Sequence, residues 1–326
     1  MTPRAPGRLD PVEARARQAV EPHLASGAPT IVALSGGADS LALTIAAAHW
    51  ARRGTEVRAV VVDHGLQEGS AAVARRAAQQ AEALGVPATV VRVDVGAGNG
   101  PEDAARRARY DALLGHHPDA HVLLAHTLDD QAETVLLGLG RGSGPRSIQG
   151  MRPANDRLRR PFLGLRRADT EHLCRLHGVD WWDDPHNTDP AYRRVRLRRE
   201  VMPLLEVVLG RGVAEALVRT ADLVRADADA LDLEAVRVVD GPLVSPEGLA
   251  DASAFASLHD AVRSRVWRRL ALRAGAIASD LTHGHILALD SLLQNPRGGR
   301  VIELPGGVTA TRTGNRVVFE PPPVAR

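Results

Sequence analysis

The chain has no lysine, a single cysteine, Cys174, and no uncharged apolar run of the roughly 18 residues that a membrane span needs. Each gap excludes something. With all 41 basic residues arginine, a Walker A loop, Gly-x-x-x-x-Gly-Lys, cannot form, and no Gly-x-Gly-x-x-Gly dinucleotide loop is present either. One cysteine allows neither an intrachain disulfide nor a Cys-x-x-Cys zinc or redox site. Without a long apolar run there is no candidate transmembrane helix, and no membrane partner is expected. Residues 1–8 are short, polar and proline-containing and read as a flexible leader, not a signal peptide; a cytoplasmic location fits these absences. Excess charge of one sign is also missing. The 41 basic and 39 acidic residues leave a net charge of +2, so nucleic-acid binding must be argued from where arginines gather.

What is present suits a soluble globular protein of two domains, 326 residues long with 44% hydrophobic and 25% charged residues. The expected divisions are a catalytic domain over 1–212 and a connector helix with a substrate-binding domain over 213–326. The most legible stretch is Ser35-Gly36-Gly37-Ala38-Asp39-Ser40, which follows the apolar run Thr30-Ile31-Val32-Ala33-Leu34 and precedes a helix-like run over 41–53. A strand that ends in two glycines and enters a helix aims backbone N–H groups and the positive end of the helix dipole at one point, which is a phosphate site. An ordinary glycine turn with Asp39 as helix N-cap fits the same six residues.

Further strand-like runs lie at 57–62, 88–95 and 121–125, separated by alanine-rich helical stretches at 39–53, 70–84 and 101–116, after a leading helix over 10–25. This alternation predicts an α/β fold, a parallel doubly wound sheet whose strand C-termini share one rim, where ligands bind at the switch in strand order. The glycine loop, Asp63-His64-Gly65 and residues 126–130 all fall on that rim. Residues 138–160, rich in glycine and arginine, read as a loop. A helix is predicted over 167–177, a short edge strand over 179–182, and an arginine-rich helix from 192 that ends or kinks at Met202-Pro203. A long helical run over 214–238 then leads to a smaller α+β domain with helices at 258–274 and 282–293. Strands follow at 300–304, 308–313 and 317–320, with hairpin turns at 305–307 and 313–316.

The second chemical stretch is Ala125-His126-Thr127-Leu128-Asp129-Asp130-Gln131-Ala132-Glu133-Thr134, at the end of a strand and the start of a helix. Asp130 and Glu133 are three apart and share a helix face, where they could hold an amine or Mg²⁺. The same spacing is a capping-box pattern with no functional meaning. Both readings stand at this point. His116-His117 and His283-Gly284-His285 lack partners at metal-ligand spacing and read as surface or capping residues. Trp181-Trp182 reads as a pair straddling core and surface.

These stretches occur together with Val62-Asp63-His64-Gly65-Leu66, Glu102, Ala105-Arg106, Ala108-Arg109-Tyr110, Arg141-Gly142-Ser143-Gly144, Gly150-Met151, Arg160-Pro161-Phe162-Leu163 and Asp184-Pro185-His186-Asn187. In order and spacing, residues 29–206 resemble the tRNA(Ile)-lysidine synthetases, a branch of the N-type (PP-loop) ATP pyrophosphatases. That family ligates L-lysine to C2 of the wobble cytidine, position 34, of a CAU-anticodon isoleucine tRNA. ATP is cleaved to AMP and pyrophosphate through an adenylated tRNA, and codon reading moves from AUG to AUA. The resemblance implies that Ser35, Gly36, Gly37, Ala38, Asp39, Ser40, Asp63 and His64 bind ATP, with Asp39 aiding Mg²⁺. It implies that Asp130, Glu133 and Arg198 bind lysine, with Asp130, Arg198 and Asp39 catalytic and Asp130 accepting the amine proton. Arg106, Arg109, Arg141, Arg146, Arg159 and Arg160 are expected to face tRNA, although a solvated basic surface is the plainer reading of such a set. The chain departs from the family at Thr127, where a second histidine is usual, and at Val195, where an asparagine is usual. Two rivals are a thiolating tRNA pyrophosphatase, disfavoured by the lone Cys174, and a catalytically idle ATP- or RNA-binding module, disfavoured by the intact Asp39, Asp130, Glu133 and Arg198. Oligomeric state is not legible.

Overall fold

The computed structural model describes residues 9–25, 27–65, 69–94, 101–142, 144–294 and 299–321, with backbone alone for 101–103 and 186. The leader, Leu66, Ser143 and the side chains of Glu102 and His186 lie outside the described residues. The chain divides into two compact units, residues 1–141 with 148–221, and residues 142–147 with 222–326.

The first unit opens with α1 (Pro11–Leu24), capped by Asp10, whose carboxylate accepts from the N–H groups of Val12 and Glu13. Then come β1 (Thr30–Leu34), α2 (Ala38–Ala51), β2 (Val57–Asp63), α3 (Ser70–Ala83), β3 (Ala88–Arg92), α4 (Pro101–His116), β4 (His121–Leu123) and α5 (Leu128–Arg141). The strands pair in parallel in the order β3-β2-β1-β4. The chain steps outward from β1 to β3 and then crosses back to lay β4 on the other side of β1. Strand order therefore switches beside β1, and a crevice opens at the C-terminal ends of the strands. Alternate residues of the strands face opposite ways: Val32, Leu34, Ala59 and Val61 join one apolar cluster, and Ile31, Val60 and Val122 join another with Leu113 of α4. Both faces of the sheet are covered, as a parallel sheet requires.

Past α5 the structure corrects two expectations and decides between the two readings of a third stretch. Residues 138–160 are not one loop: α5 runs to Arg141, α6 (Pro145–Ile148) adds a helical turn, and β5 (Ala154–Asn155) and β6 (Leu158–Arg159) form a hairpin that extends the sheet beside β4. Strands of two residues carry no alternation for a pattern to reveal. Their anchors are polar instead. Arg157 donates to the carbonyls of His117 and Leu114, each at 2.9 Å, and the buried Gln131 amide clamps Met151 through both its N–H and its carbonyl. A Cβ on Gly150 would lie 2.7 Å from Gln131 Oε1, which accounts for the Gly150-Met151 pair. Second, residues 179–182 form no strand. Trp182 N–H donates to Gly36 O at 2.9 Å, so this segment braces the glycine loop and leaves the sheet alone.

At Met202-Pro203, where the sequence allows the arginine-rich helix to end or to kink, it continues. After α7 (Arg167–Leu176), the chain forms α8 (Arg193–Arg196), a π turn at Leu197–Val201 and α9 (Met202–Leu209). Pro203 has no N–H and its ring crowds the carbonyl four residues back; the wider π turn relieves the clash and the helix continues. Next, α10 (Val213–Val239) is one helix through the point at which the two units part.

The second unit holds β7 (Val244–Ser245), β8 (Gly248–Leu249), α11 (Ala252–Ala256), α12 (Asp260–Arg273), α13 (His283–Asp290), β9 (Val301–Leu304), β10 (Val308–Thr313) and β11 (Arg316–Glu320). Its sheet is antiparallel, in the order β7-β8-β11-β10-β9. The long helices and the last three strands are those predicted; β7, β8 and α11 are too short to show in sequence. Phe255, Trp267 and Phe319 pack in its core, and the indole N–H of Trp267 donates to Asp290 at 2.9 Å. Thr282 N–H donates to His285 Nδ1 at 3.1 Å, so this histidine caps α13. Among the described residues no helix is long and apolar enough to cross a membrane.

Candidate active site

β1 ends at Leu34, and the chain turns through Ser35, Gly36 and Gly37 into α2. Gly36 sits at φ +84°, the left-handed region that glycine enters without strain. Ser40 Oγ donates to Gly37 O at 2.9 Å and accepts from Ser35 N–H at 3.1 Å, so two serines brace the turn. Gly37 is the N-cap of α2 and makes no side-chain cap bond. The first-turn N–H groups and the helix dipole are thereby left to an anion at the crevice. The N-cap reading of Asp39 is corrected: Asp39 lies inside the first turn, and its carboxylate accepts from Thr170 Oγ1 and, at 3.3 Å, from Arg167 Nε.

The crevice is a cavity of about 410 Å³ whose lining includes Ser35, Asp39, Asp63, His64, His126 and Asp130. Asp63 accepts from Gly65 N–H at 3.0 Å, and a hydrogen bond from Ser70 holds its carboxyl below the ordinary range. The Nδ1 atoms of His64 and His126 are buried without a hydrogen-bond partner among the described residues. Buried polar atoms ordinarily have partners, and these two ring nitrogens belong to residues that line the cavity. Loop, volume and unpartnered ring nitrogens fit a nucleotide.

Burial pushes His126 down to about 4 from 6.5. Below pH 6.5 the unfolded chain takes up a proton that the folded chain refuses, so this stabilisation is complete above pH 6.5 and is lost as pH falls through 4. The stability difference between wild type and His126→Gln is expected to shift by up to about 3 kcal/mol against the wild type between pH 7 and pH 4, read from paired denaturation curves. A pH-independent difference would contradict the assigned environment.

The start of α5 shows how one motif serves two purposes. Asp130 N–H donates to Thr127 Oγ1 at 3.4 Å, while the N–H and hydroxyl of Thr127 donate to Asp130 Oδ2 at 2.8 and 3.0 Å. This is a reciprocal cap, set three residues earlier than the pattern Asp130-x-x-Glu133 suggests. It occupies one carboxylate oxygen. The other, Oδ1, faces two guanidinium groups, Arg167 at 3.0 Å and Arg198 at 3.3 Å. Glu133, 1% exposed, meets the same Arg198 with both oxygens, at 2.7 Å to Nε and 3.2 Å to Nη2. The π turn ahead of Pro203 delivers Arg198 to this pair, and the departure Val195 is buried beneath it in α8.

Burial raises the carboxyl of Glu133 over the opposing pull of Arg198, and burial likewise raises Asp39 over the pull of Arg167. Burial would raise Asp130 too, but Arg167, the Thr127 N–H and Arg198 outweigh it and hold Asp130 below the usual range. Asp129, the third carboxylate of the motif, accepts from Arg166 Nη1 at 2.7 Å and Arg167 N–H at 2.8 Å and so seats the start of α7. A second cavity, about 360 Å³, has a lining that includes Asp129, Glu133, Arg166, Arg167, Arg198 and Glu206. Sequence reasoning missed Arg167 and Thr170. The available signal was a pair of arginines at a helix start, where the dipole disfavours cations unless carboxylates lie opposite.

The arginines expected to face tRNA have several roles. The guanidinium groups of Arg106 and Arg109 lie 5.2 and 5.9 Å from the centre of the Tyr110 ring, and Arg109 lines the first cavity. Arg141 is exposed at the end of α5. Arg146, in the second unit, pairs with Asp232 at 3.2 Å. For Arg160 the expectation is corrected: it is buried and donates to Arg152 O at 2.8 Å, which holds the hairpin in place. Arg159, half-buried, donates to Leu158 O at 3.0 Å and meets His121 at 3.2 Å. Trp182, placed between core and surface by sequence, also lines the first cavity.

Residues 9–205 match the model of the PP-loop domain, and residues 251–318 match the TilS substrate binding domain. The chain is 50% identical over 309 residues to the tRNA(Ile)-lysidine synthase of Leifsonia xyli, with 92% of each chain covered. It is 49% identical over 310 residues to that of Streptomyces coelicolor, covering 91% of this chain and 88% of the relative. The identity to the enzyme of Mycobacterium tuberculosis H37Rv is 51% over 313 residues, covering 94% and 93%. Among solved structures, the U34-tRNA thiolase NcsA of Methanococcus maripaludis superposes with a TM-score of 0.54 at 16% identity, over 66% of this chain and 80% of that one, a likeness of fold.

Proposed function

This chain belongs to the tRNA(Ile)-lysidine synthase family, and from that premise we propose how its residues divide the work of a carbon–nitrogen ligase. The enzyme uses ATP to attach lysine to C2 of the wobble cytidine of a CAU-anticodon isoleucine tRNA, in the cytoplasm. The observation that carries the site assignment is the placement of Asp130 and Glu133 around one guanidinium, Arg198, beside the glycine loop on the same sheet rim.

Two steps follow from this layout. Cytosine O2 attacks the α-phosphate of ATP; the O2–P bond forms, the bond to the β-phosphate oxygen breaks, and pyrophosphate leaves. The amides of Gly36, Gly37 and Ala38 and the dipole of α2 meet the charge on the leaving phosphates. Mg²⁺ fits as an ion held by Asp39 with oxygens of the nucleotide, since such ions take one or two carboxylates plus phosphate and water; when bound it supplies neutralisation of phosphate charge. The wobble base reaches the rim out of its stack, as a single-stranded loop base can do at low cost. In the second step the lysine ε-amine attacks C2, the C2–O2 bond breaks and AMP leaves. Glu133 and Arg198 hold the amino-acid end of the substrate, and Asp130 accepts the amine proton. Product analysis tests the first step: AMP and pyrophosphate should appear in equal amounts and only with the CAU-anticodon tRNA, whereas ADP and phosphate would contradict the scheme.

A further inference from the structure

Arg167 lies where the two halves of this chemistry meet. Its side chain lines the second cavity, yet Nε reaches Asp39 at 3.3 Å and Nη2 reaches Asp130 at 3.0 Å, and both carboxylates line the first cavity. The residue is held in place from two directions. Asp129 accepts its backbone N–H at 2.8 Å, and Thr170, one turn along α7, shares its hydroxyl proton between the Asp39 carboxylate and Arg167 O. The start of α7 is a poor place for a cation by dipole alone, so the carboxylates opposite determine where this guanidinium rests.

The two members of the Asp130–Glu133 pair are unequally engaged. Glu133 has its own two-pronged partner in Arg198, whereas Asp130 takes Arg167 at the shorter distance and shares that guanidinium with Asp39. We propose that Arg167 is a positioning residue that stands in for two cations at once: while it bridges Asp39 and Asp130 neither is open, and cation uptake at Asp39 releases it and opens Asp130 to the substrate ammonium. The inference rests on the roles proposed above for these two carboxylates.

Two consequences follow. A guanidinium that loses Asp39 keeps one partner in place of two, so nucleotide with its metal strengthens amino-acid binding, and by linkage the amino acid strengthens nucleotide binding by the same factor. Departure of Arg167 also removes the leading attraction that holds Asp130 low, which leaves a more basic carboxylate at the time an amine proton must be accepted. The device therefore orders the events, nucleotide before amine.

Calorimetric titration of the full chain with L-lysine, alone and with Mg²⁺ and α,β-methylene-ATP, tests this directly. Wild type should bind lysine about 10-fold more tightly with the nucleotide, within the usual range of coupling. Arg167→Gln should bring that ratio close to one and should bind lysine without nucleotide more tightly than wild type does. Asp39→Ala breaks the bridge from its other end, and it too should tighten lysine binding without nucleotide. Equal lysine affinity with and without nucleotide in wild type overturns the coupling, as does an Arg167→Gln protein that weakens both affinities equally and keeps the ratio. If Arg167→Gln fails to fold, the wild-type ratio and Asp39→Ala decide. Absence of lysine binding under every condition fails the amino-acid reading itself and takes the inference with it, an outcome distinct from binding of equal strength.

Discussion

Asp39→Ala is expected to lower tRNA-dependent pyrophosphate release by about 10²–10³-fold, the loss typical when one group stabilising transition-state charge is removed. The carboxylate is on the rim, in the first turn of α2, where it meets Arg167 and Thr170 and lines the first cavity. Burial raises its carboxyl over the pull of Arg167 and Thr170, and Arg167 keeps Asp130 as a partner when Asp39 is removed, so the substitution should cost the fold little. Equal pyrophosphate release by mutant and wild type, measured on folded protein, would contradict the role of the glycine loop and Asp39 in ATP cleavage.

Asp130→Asn is expected to lower the rate of lysine transfer by about 10²–10⁴-fold, the range for loss of a general base, while adenylated tRNA accumulates. Glu133→Gln should act on binding instead. Losing a charge-assisted hydrogen bond costs about 1–3 kcal/mol, so the lysine KM should rise roughly 5- to 150-fold with a smaller change in the ATP KM. The structure also decides which mutant is the cleaner test. Asp130 closes the cap with Thr127, so its replacement can cost about 1 kcal/mol of stability as well. Glu133 turns both oxygens to Arg198, so a lysine-specific defect there cannot be a lost cap. An unchanged lysine KM in Glu133→Gln would end the assignment of this pocket to the amino acid.

Much of this geometry was legible from local pattern. Strands β1 and β2 announce themselves as β-branched runs and β4 as a short apolar one, all between alanine-rich helices, and the parallel alternation puts the glycine loop, Asp63 and His126 on one rim. Asp130, Glu133 and Arg198 lie 65 and more residues apart along the chain between the acids and the arginine, and only the family resemblance joined them. What stayed hidden depends on long-range partners. Arg167 looks like an ordinary helix-start residue until Asp39 and Asp130, 128 and 37 residues away, close around it. Arg160 looks like an RNA-facing residue until hairpin β5–β6, too short for any periodicity, buries it. The π turn was hidden for a different reason, since Pro203 signals a break and the sequence alone does not say whether a helix ends or widens there.

Incorporation of radiolabelled lysine into tRNA is the most direct test of the central claim. With ATP and an isoleucine tRNA carrying a CAU anticodon, the protein should transfer about one lysine per tRNA to the wobble cytidine, releasing one AMP and one pyrophosphate for each. A tRNA that remains unlabelled while ATP is still split, or label that appears equally in a tRNA lacking the CAU anticodon, would contradict the account.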